Sequence, residues 1–122
     1  MKTSLEVVQD FLRLTNDEGN IPGATQLLAE DVRFTGPAIT ISGTKEYAGL
    51  LEQFLSAHAS WVKHQEFQNG DDVCVIDDIQ VKTPAGSVIT LSLAEWFKTA
   101  NGKITEHKVF YDPREFVKAF GM

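Results

Sequence analysis

Two side chains in the C-terminal third of the chain, Glu95 and His107, are of types that can pass a proton between them, a carboxyl and an imidazole. They stand in the stretch SVITLSLAEWFKTANGKITEHKVFYD, residues 87–112, which reads as two strands joined by a tight turn. Ile89, Leu91, Leu93 and Phe97 alternate with Thr90, Ser92 and Lys98, so one face of the first strand is built for burial, and Glu95 falls on it. Ala100, Asn101 and Gly102 suit a three-residue loop in which Gly102 is left-handed and forms a bulge. Counting back from Thr99 opposite Lys103 sets Phe97 against Thr105, Glu95 against His107, Leu93 against Val109 and Leu91 against Tyr111. A two-residue turn on Asn101 and Gly102 would slip the register by one and bring Lys108 opposite Glu95, an ordinary ion pair. In the first register an acid and an imidazole share an apolar surface, where desolvation and mutual charge move both titrations.

A third titratable group comes from the preceding strand. Pro84, Ala85 and Gly86 repeat the same loop grammar, which sets Val81 against Ile89, Ile79 against Leu91, Asp77 against Leu93 and Val75 against Glu95. Asp77 then lies diagonal to Glu95, about 7 Å away at the backbone. A shift of one residue in the Asp77-Asp78 doublet would expose it instead. His107 is expected either as a general base or as a structural histidine holding Glu95. Glu95 is a proton donor, an anchor for a ligand hydroxyl, or a buried carboxylate tied to His107; Asp77 would polarise the imidazole. Tyr111 could hydrogen-bond a ligand at a pocket rim or pack its ring and wet its hydroxyl. Trp61 and Trp96 read as packing or interface residues and Cys74 as structural, while His58 and His64 have no readable register.

These groups need elements to hold them. Thr3 with Glu6 has capping-box spacing, and Leu5, Val8, Phe11, Leu12 and Thr15 follow at helical intervals, so the spacing predicts a helix over 4–17 ended by Gly19. Pro22 opens a short second helix stopping near Glu30, followed by a brief strand from Asp31 to Thr35. Ser42 or Thr44 caps a third helix carrying Tyr47, Leu50, Leu51, Phe54 and Leu55. From Trp61 the pattern turns extended: a strand over 62–68, a turn on Asn69-Gly70, and a strand over 73–82 lead antiparallel into the hairpin. Asp112, Pro113 and Glu115 have the spacing of a cap opening a short C-terminal helix with Phe116, Val117 and Phe120.

At 122 residues and 43% apolar content the chain, residues 1–122, fits one domain that buries roughly two-thirds of its unfolded surface. A net charge of -6 and no basic cluster argue against nucleic acid and anionic membranes as partners. A single cysteine excludes an internal disulfide, and no Cys/His spacing of the structural zinc kind is present, so neither a metal nor an organic cofactor is implied. The N-terminus MKTSLEVVQDF lacks a continuous apolar core of the secretory type, and a soluble protein of the reducing cytoplasm is expected.

Helices followed by a sheet ending in EWFKTANGKITEHKVFYDPREF, together with the LLAEDVRFTGP segment and the NGKI turn followed by YDP, resemble the SnoaL-like branch of the nuclear transport factor 2-like superfamily over essentially the whole chain. The resemblance implies an α+β cone: a curved antiparallel sheet wrapped around N-terminal helices, with a short C-terminal helix, a pocket at one end, and a homodimer through the sheet's outer face. It also implies a small apolar or hydroxylated organic ligand, with Phe11, Phe34, Leu93, Phe97, Val109 and Tyr111 as pocket walls. Ketosteroid isomerases, polyketide cyclases, epoxide hydrolases and dehydratases are known in the superfamily. The isomerases' helix-one tyrosine aligns with Phe11, their aspartate base with Gly36, and their protonated oxyanion-stabilising aspartic acid with Glu95. The final-strand aspartate of cyclases and epoxide hydrolases aligns with Val109. The expected function is thus a small-molecule pocket with acid/base chemistry of isomerase, hydrolase or cyclase type by Glu95 and His107; the alternative is a non-catalytic module that binds an apolar ligand or dimerises.

Overall fold

The first helix begins where its cap is written. Thr3 Oγ1 accepts the Glu6 N–H at 3.1 Å, and Glu6 Oε1 accepts the Thr3 N–H at 2.9 Å. The structure is a computed structural model that describes residues 2–121. Helix α1 (Ser4–Leu12) buries Val7, Val8, Phe11 and Leu12. The predicted continuation to Asp17 is wider than an α-helix, a π-turn over Arg13–Asp17 in which the Glu18 N–H reaches the Arg13 carbonyl. Thr15 and Asn16 donate back to the carbonyls of Phe11 and Leu12, competing with the regular ladder.

Helix α2 (Ile21–Thr25) is capped by Asn20 and is shorter than predicted. Strand β1 (Leu28–Thr35) starts three residues early because Leu28 and Val32 already face the core. After β2 (Thr40–Ser42), helix α3 (Thr44–Ala57) is capped by neither Ser42 nor Thr44; Gly43 holds the cap position at φ 93°, and the Thr44 hydroxyl donates to the Ala29 carbonyl. Four long strands follow, β3 (His58–Asn69), β4 (Asp72–Lys82), β5 (Val88–Ala100) and β6 (Lys103–Phe110). The first turn among them is Gly70-Asp71, one residue later than predicted, with Asn69 paired to Asp72 and Gly70 left-handed. Helix α4 (Arg114–Phe120) begins one residue late, with Pro113 at its cap position; the Asp112 carboxylate still accepts the Arg114 N–H, without a capping box.

The sheet order is β2-β1-β6-β5-β4-β3, curved and unclosed. Neighbours are antiparallel except β1 and β6, which run parallel and place Phe34 beside His107. Helices α1 and α3 fill the concave side, and among the described residues no helix is long and apolar enough to cross a membrane.

Strands β4 and β5 pair as the Pro84-Ala85-Gly86 loop predicts, with Asp77 opposite Leu93 and Val75 opposite Glu95. The β5–β6 pairing does not. Asn101 and Gly102 are both left-handed, at φ 53° and 75°, which makes a two-residue turn with Ala100 opposite Lys103. The predicted pairs Thr99–Lys103, Phe97–Thr105, Glu95–His107, Leu93–Val109 and Leu91–Tyr111 are therefore replaced. A bulge at Thr105, whose hydroxyl donates to the Lys98 carbonyl, adds the missing residue, so Phe97 faces His107 and Glu95 faces Val109. Lys108 pairs with Trp96 and points outward. Turn and bulge each shift the pairing by one residue in the same direction, and the resulting shift of two leaves Glu95 and His107 on the same face, now on a diagonal.

Candidate functional site

The inward faces of β4, β5 and β6 carry the same layering. At one end Val73, Val75, Phe97 and Ile104 pack with α1 and α3; at the other Ile79, Val81, Leu91, Leu93 and Val109 form a second apolar cluster. Between them lies one polar layer of Asp77, Glu95 and His107, buried to 0%, 6% and 5% exposure. Polar groups this enclosed require partners, and among the described residues one buried side-chain atom of the layer, Asp77 Oδ1, has none.

Tyr47, on α3 and 1% exposed, directs its hydroxyl at His107 Nδ1, while His107 Nε2 lies 2.7 Å from Glu95 Oε1. Among the described residues the Tyr47 hydroxyl has no other partner, so its proton goes to Nδ1. The ring proton therefore sits on Nε2 and is donated to Glu95. Trp61 Nε1 donates to Asp77 Oδ2 at 2.8 Å. Asp77 Oδ1 is the described buried side-chain atom that is orphaned if both acids are ionised. A proton on Asp77, shared with Glu95 within hydrogen-bond reach, resolves the orphan. The layer then reads Trp61 to Asp77 to Glu95, with Tyr47 to His107 to Glu95 from the other side, and its one negative charge rests on Glu95.

The titrations follow. Burial first, then Glu95, pushes Asp77 up to about 9, and burial raises Glu95 despite the bond from Asp77. Burial drives His107 down to about 3, against the pull of Asp77. Tyr47 is raised well above the ordinary phenol by burial, then by Glu95. His107 is also clamped by rings: Phe97 stacks on it at 4.0 Å between centroids, and Phe34 and Phe11 present edges at 5.2 and 6.1 Å.

A cavity of about 170 Å³ opens beside the layer, between the second apolar cluster and the helices. Phe11, Phe34, Leu93, Val109 and Tyr111 line it, as do Glu95 and His107. Phe97 and Asp77 do not: Phe97 lies behind the imidazole and Asp77 behind Glu95. Further walls come from Leu50 and Phe54 of α3 and Phe116 of α4, and the π-turn contributes Thr15 and Asn16, whose polar atoms bond the backbone and His58. Both nitrogens of His107 are engaged within the protein, so Glu95 is the acidic group at the cavity wall. Among the described residues no group of three or more His, Cys, Asp or Glu side chains is arranged to hold a metal ion.

Two members of the layer escaped the sequence reading. Tyr47 registered only as an apolar position of its helix, and Trp61 as packing. The available signal was chemical: a Tyr or Trp facing a core that contains a carboxyl has somewhere to put its proton. His64 bonds Asp78 on the outer face. Phe11, where the resemblance sets the isomerases' tyrosine, lines the cavity without a hydroxyl, and the site's phenol comes from α3 instead.

Helices cupped in a curved sheet over one buried polar layer define a small α+β cone with an internal cavity. The family model described as a SnoaL-like domain matches residues 8–107, and the chain belongs to that family. No curated protein sequence matches the chain. Among solved structures, an NTF2-like protein of unknown function from Cytophaga hutchinsonii is 30% identical, with a TM-score of 0.81 over 95% of this chain and 96% of the other. A putative polyketide cyclase from Pseudomonas putida is 19% identical, with a TM-score of 0.83 over 98% and 99%. A hypothetical protein with a ketosteroid isomerase-like fold from Catenulispora acidiphila, in complex with trimethylamine, is 16% identical, with a TM-score of 0.78 over 96% and 93%.

Proposed function

We propose that the chain binds a small, mostly apolar organic molecule in the cavity beside the polar layer and that Glu95 is the acid/base group meeting it. The observation that carries this reading is the position of Glu95 as the single acidic residue of an otherwise largely apolar lining, with His107 and Asp77 directed at it from behind. A cavity of about 170 Å³ suits a molecule of roughly one ring, since an engineered void of comparable size takes up benzene. In this role Glu95 accepts a proton from the bound molecule and returns it, while the His107 Nε2–H and the Asp77 proton stabilise its carboxylate before the first event and after the second. His107 is then a positioning residue rather than the base, the second of the two roles expected for it from sequence. The co-crystallised small molecule in the Catenulispora neighbour supports a ligand-holding role at the level of the fold.

A non-catalytic binding role is favoured by one feature. Thr15, Asn16 and Tyr47 already have protein partners, and the remaining lining hydroxyl, that of Tyr111, packs with the second apolar cluster rather than with the polar layer, so no second donor is joined to Glu95 to stabilise a developing oxyanion.

The test is native mass spectrometry of the purified protein together with calorimetric titration of monocyclic alcohols, ketones and amines. Retention or binding of a one-ring compound, weakened about tenfold or more by Glu95→Gln, is the expected result. Failure of every such compound to bind the wild type refutes the pocket, and equal binding by Glu95→Gln refutes the role of Glu95.

A further inference from the structure

We infer that the cavity selects a small organic cation, a compact alkylammonium or protonated tertiary amine, with Glu95 as its counter-ion and the surrounding rings as its walls. The inference rests on the small-molecule reading of the same site and names the class of ligand.

The argument is one of charge. Hydrogen-bond logic in the layer leaves Tyr47, His107 and Asp77 neutral and the negative charge on Glu95. Neither lysine nor arginine occurs among the residues lining the cavity. A carboxylate enclosed with two hydrogen-bond donors and no cation is an incompletely compensated buried charge, and a bound cation supplies the missing partner.

The walls fit that partner. Phe11, Phe34, Tyr47, Phe54, Tyr111 and Phe116 all line the cavity, and aromatic faces attract ammonium groups in water-poor sites. An anion or a second carboxylic acid would meet like charge at Glu95. A neutral hydrocarbon would fill the space but leave the carboxylate as it was. The size is restrictive, because about 170 Å³ admits a compact ammonium and excludes a long-chain amine. The net charge of -6 adds a long-range field that concentrates cations around the whole molecule. Charge balance holds by either route: a permanent cation pairs with the ionised carboxyl or displaces its proton, and a neutral amine takes that proton and pairs with the carboxylate left behind.

The test compares two probes of nearly equal shape, tetramethylammonium and tert-butanol, by calorimetry or ligand-observed NMR on the full chain. The expected result is a preference of about tenfold or more for tetramethylammonium that falls to near parity in Glu95→Gln. Because Glu95→Gln alters a buried layer, Phe34→Leu provides a second arm, with tetramethylammonium weakened about threefold or more and tert-butanol affected less. Equal or tighter binding of tert-butanol by the wild type overturns the cation assignment while leaving the pocket in place. A cation preference that survives Glu95→Gln also overturns it. Binding of neither probe removes both the assignment and the small-molecule reading beneath it.

Discussion

A carboxyl group three strands deep in a sheet is an ordinary liability, and here two of them share one layer with an imidazole. Their hydrogen bonds decide which is charged. Asp77 has Trp61 on one oxygen and, on the other, no donor, so protonation is its cheapest state. Glu95 receives His107 and the Asp77 proton, so it keeps the charge. Asp77→Asn tests this directly, since asparagine copies a protonated aspartic acid in shape, donates to Glu95 and still accepts from Trp61. At neutral pH the substitution should raise stability in urea unfolding, because asparagine keeps the hydrogen bonds without having to take up a proton on folding. The pH dependence carries the sign. A carboxyl raised from 3.8 to about 9 contributes stability fully present below 3.8 and lost as pH climbs toward 9. His107, lowered from 6.5 to about 3, acts oppositely, and its contribution is lost as pH falls below 6.5. Between 6.5 and about 9 the wild type should therefore lose stability relative to Asp77→Asn. Urea curves that stay parallel across that range would mean Asp77 is already ionised.

Among the elements, the β5–β6 hairpin governs the site, because a displacement of one residue moves an entire face of side chains. The Asn101-Gly102 turn alone would have brought Lys108 inward; the Thr105 bulge restores His107. Two separate local devices thus hold one register, and the turn can be weakened without moving the imidazole. Gly102→Ala places a Cβ on a backbone at φ 75° and should cost about 1–2 kcal/mol in denaturant unfolding. The His107 ring signals in NMR should stay where they are, since the bulge lies beyond the substituted turn. A large shift of those signals would show that the turn, not the bulge, sets the offset. The π-turn after α1 carries Thr15 and Asn16 in the cavity wall.

For the whole molecule, the two faces of the sheet divide the work. The concave face carries two apolar clusters separated by the polar layer. The outer face carries Phe67, Cys74 and Trp96 in one row across β3, β4 and β5, with Ile76, Ala94 and Phe110 in the next. Phe67 and Phe110 are 56% and 50% exposed, and Val62 on the same side is 53% exposed. A contiguous apolar stripe of this kind fits a second copy of the sheet laid face to face. Sedimentation velocity at micromolar concentration should therefore give a dimer, and the double variant Phe67→Glu, Phe110→Lys a monomer with unchanged circular dichroism. A monomeric wild type would reject the pairing.

Much of this protein was legible in the sequence because the informative patterns were local. Alternation fixed the buried faces of β4 and β5, the Pro84-Ala85-Gly86 loop set their pairing residue by residue, and the Thr3/Glu6 box started α1. Asp77 and Glu95 fall on inward faces on those grounds, since alternation is a property of each strand alone; the inward place of His107 was read from a three-residue loop, and the structure reaches it by a two-residue turn and a bulge instead. What needed the tertiary structure was everything that depends on two distant segments meeting. The parallel pairing of β1 with β6 and the arrival of Tyr47 and Trp61 at the layer each join residues whose separation in the chain carries no periodic signal, while the bulge at Thr105, though local, leaves no mark in the alternation. The charge state of the layer belongs to this second group. A single strand records which groups are buried, but which of them keeps its proton depends on the donors that other elements bring within reach.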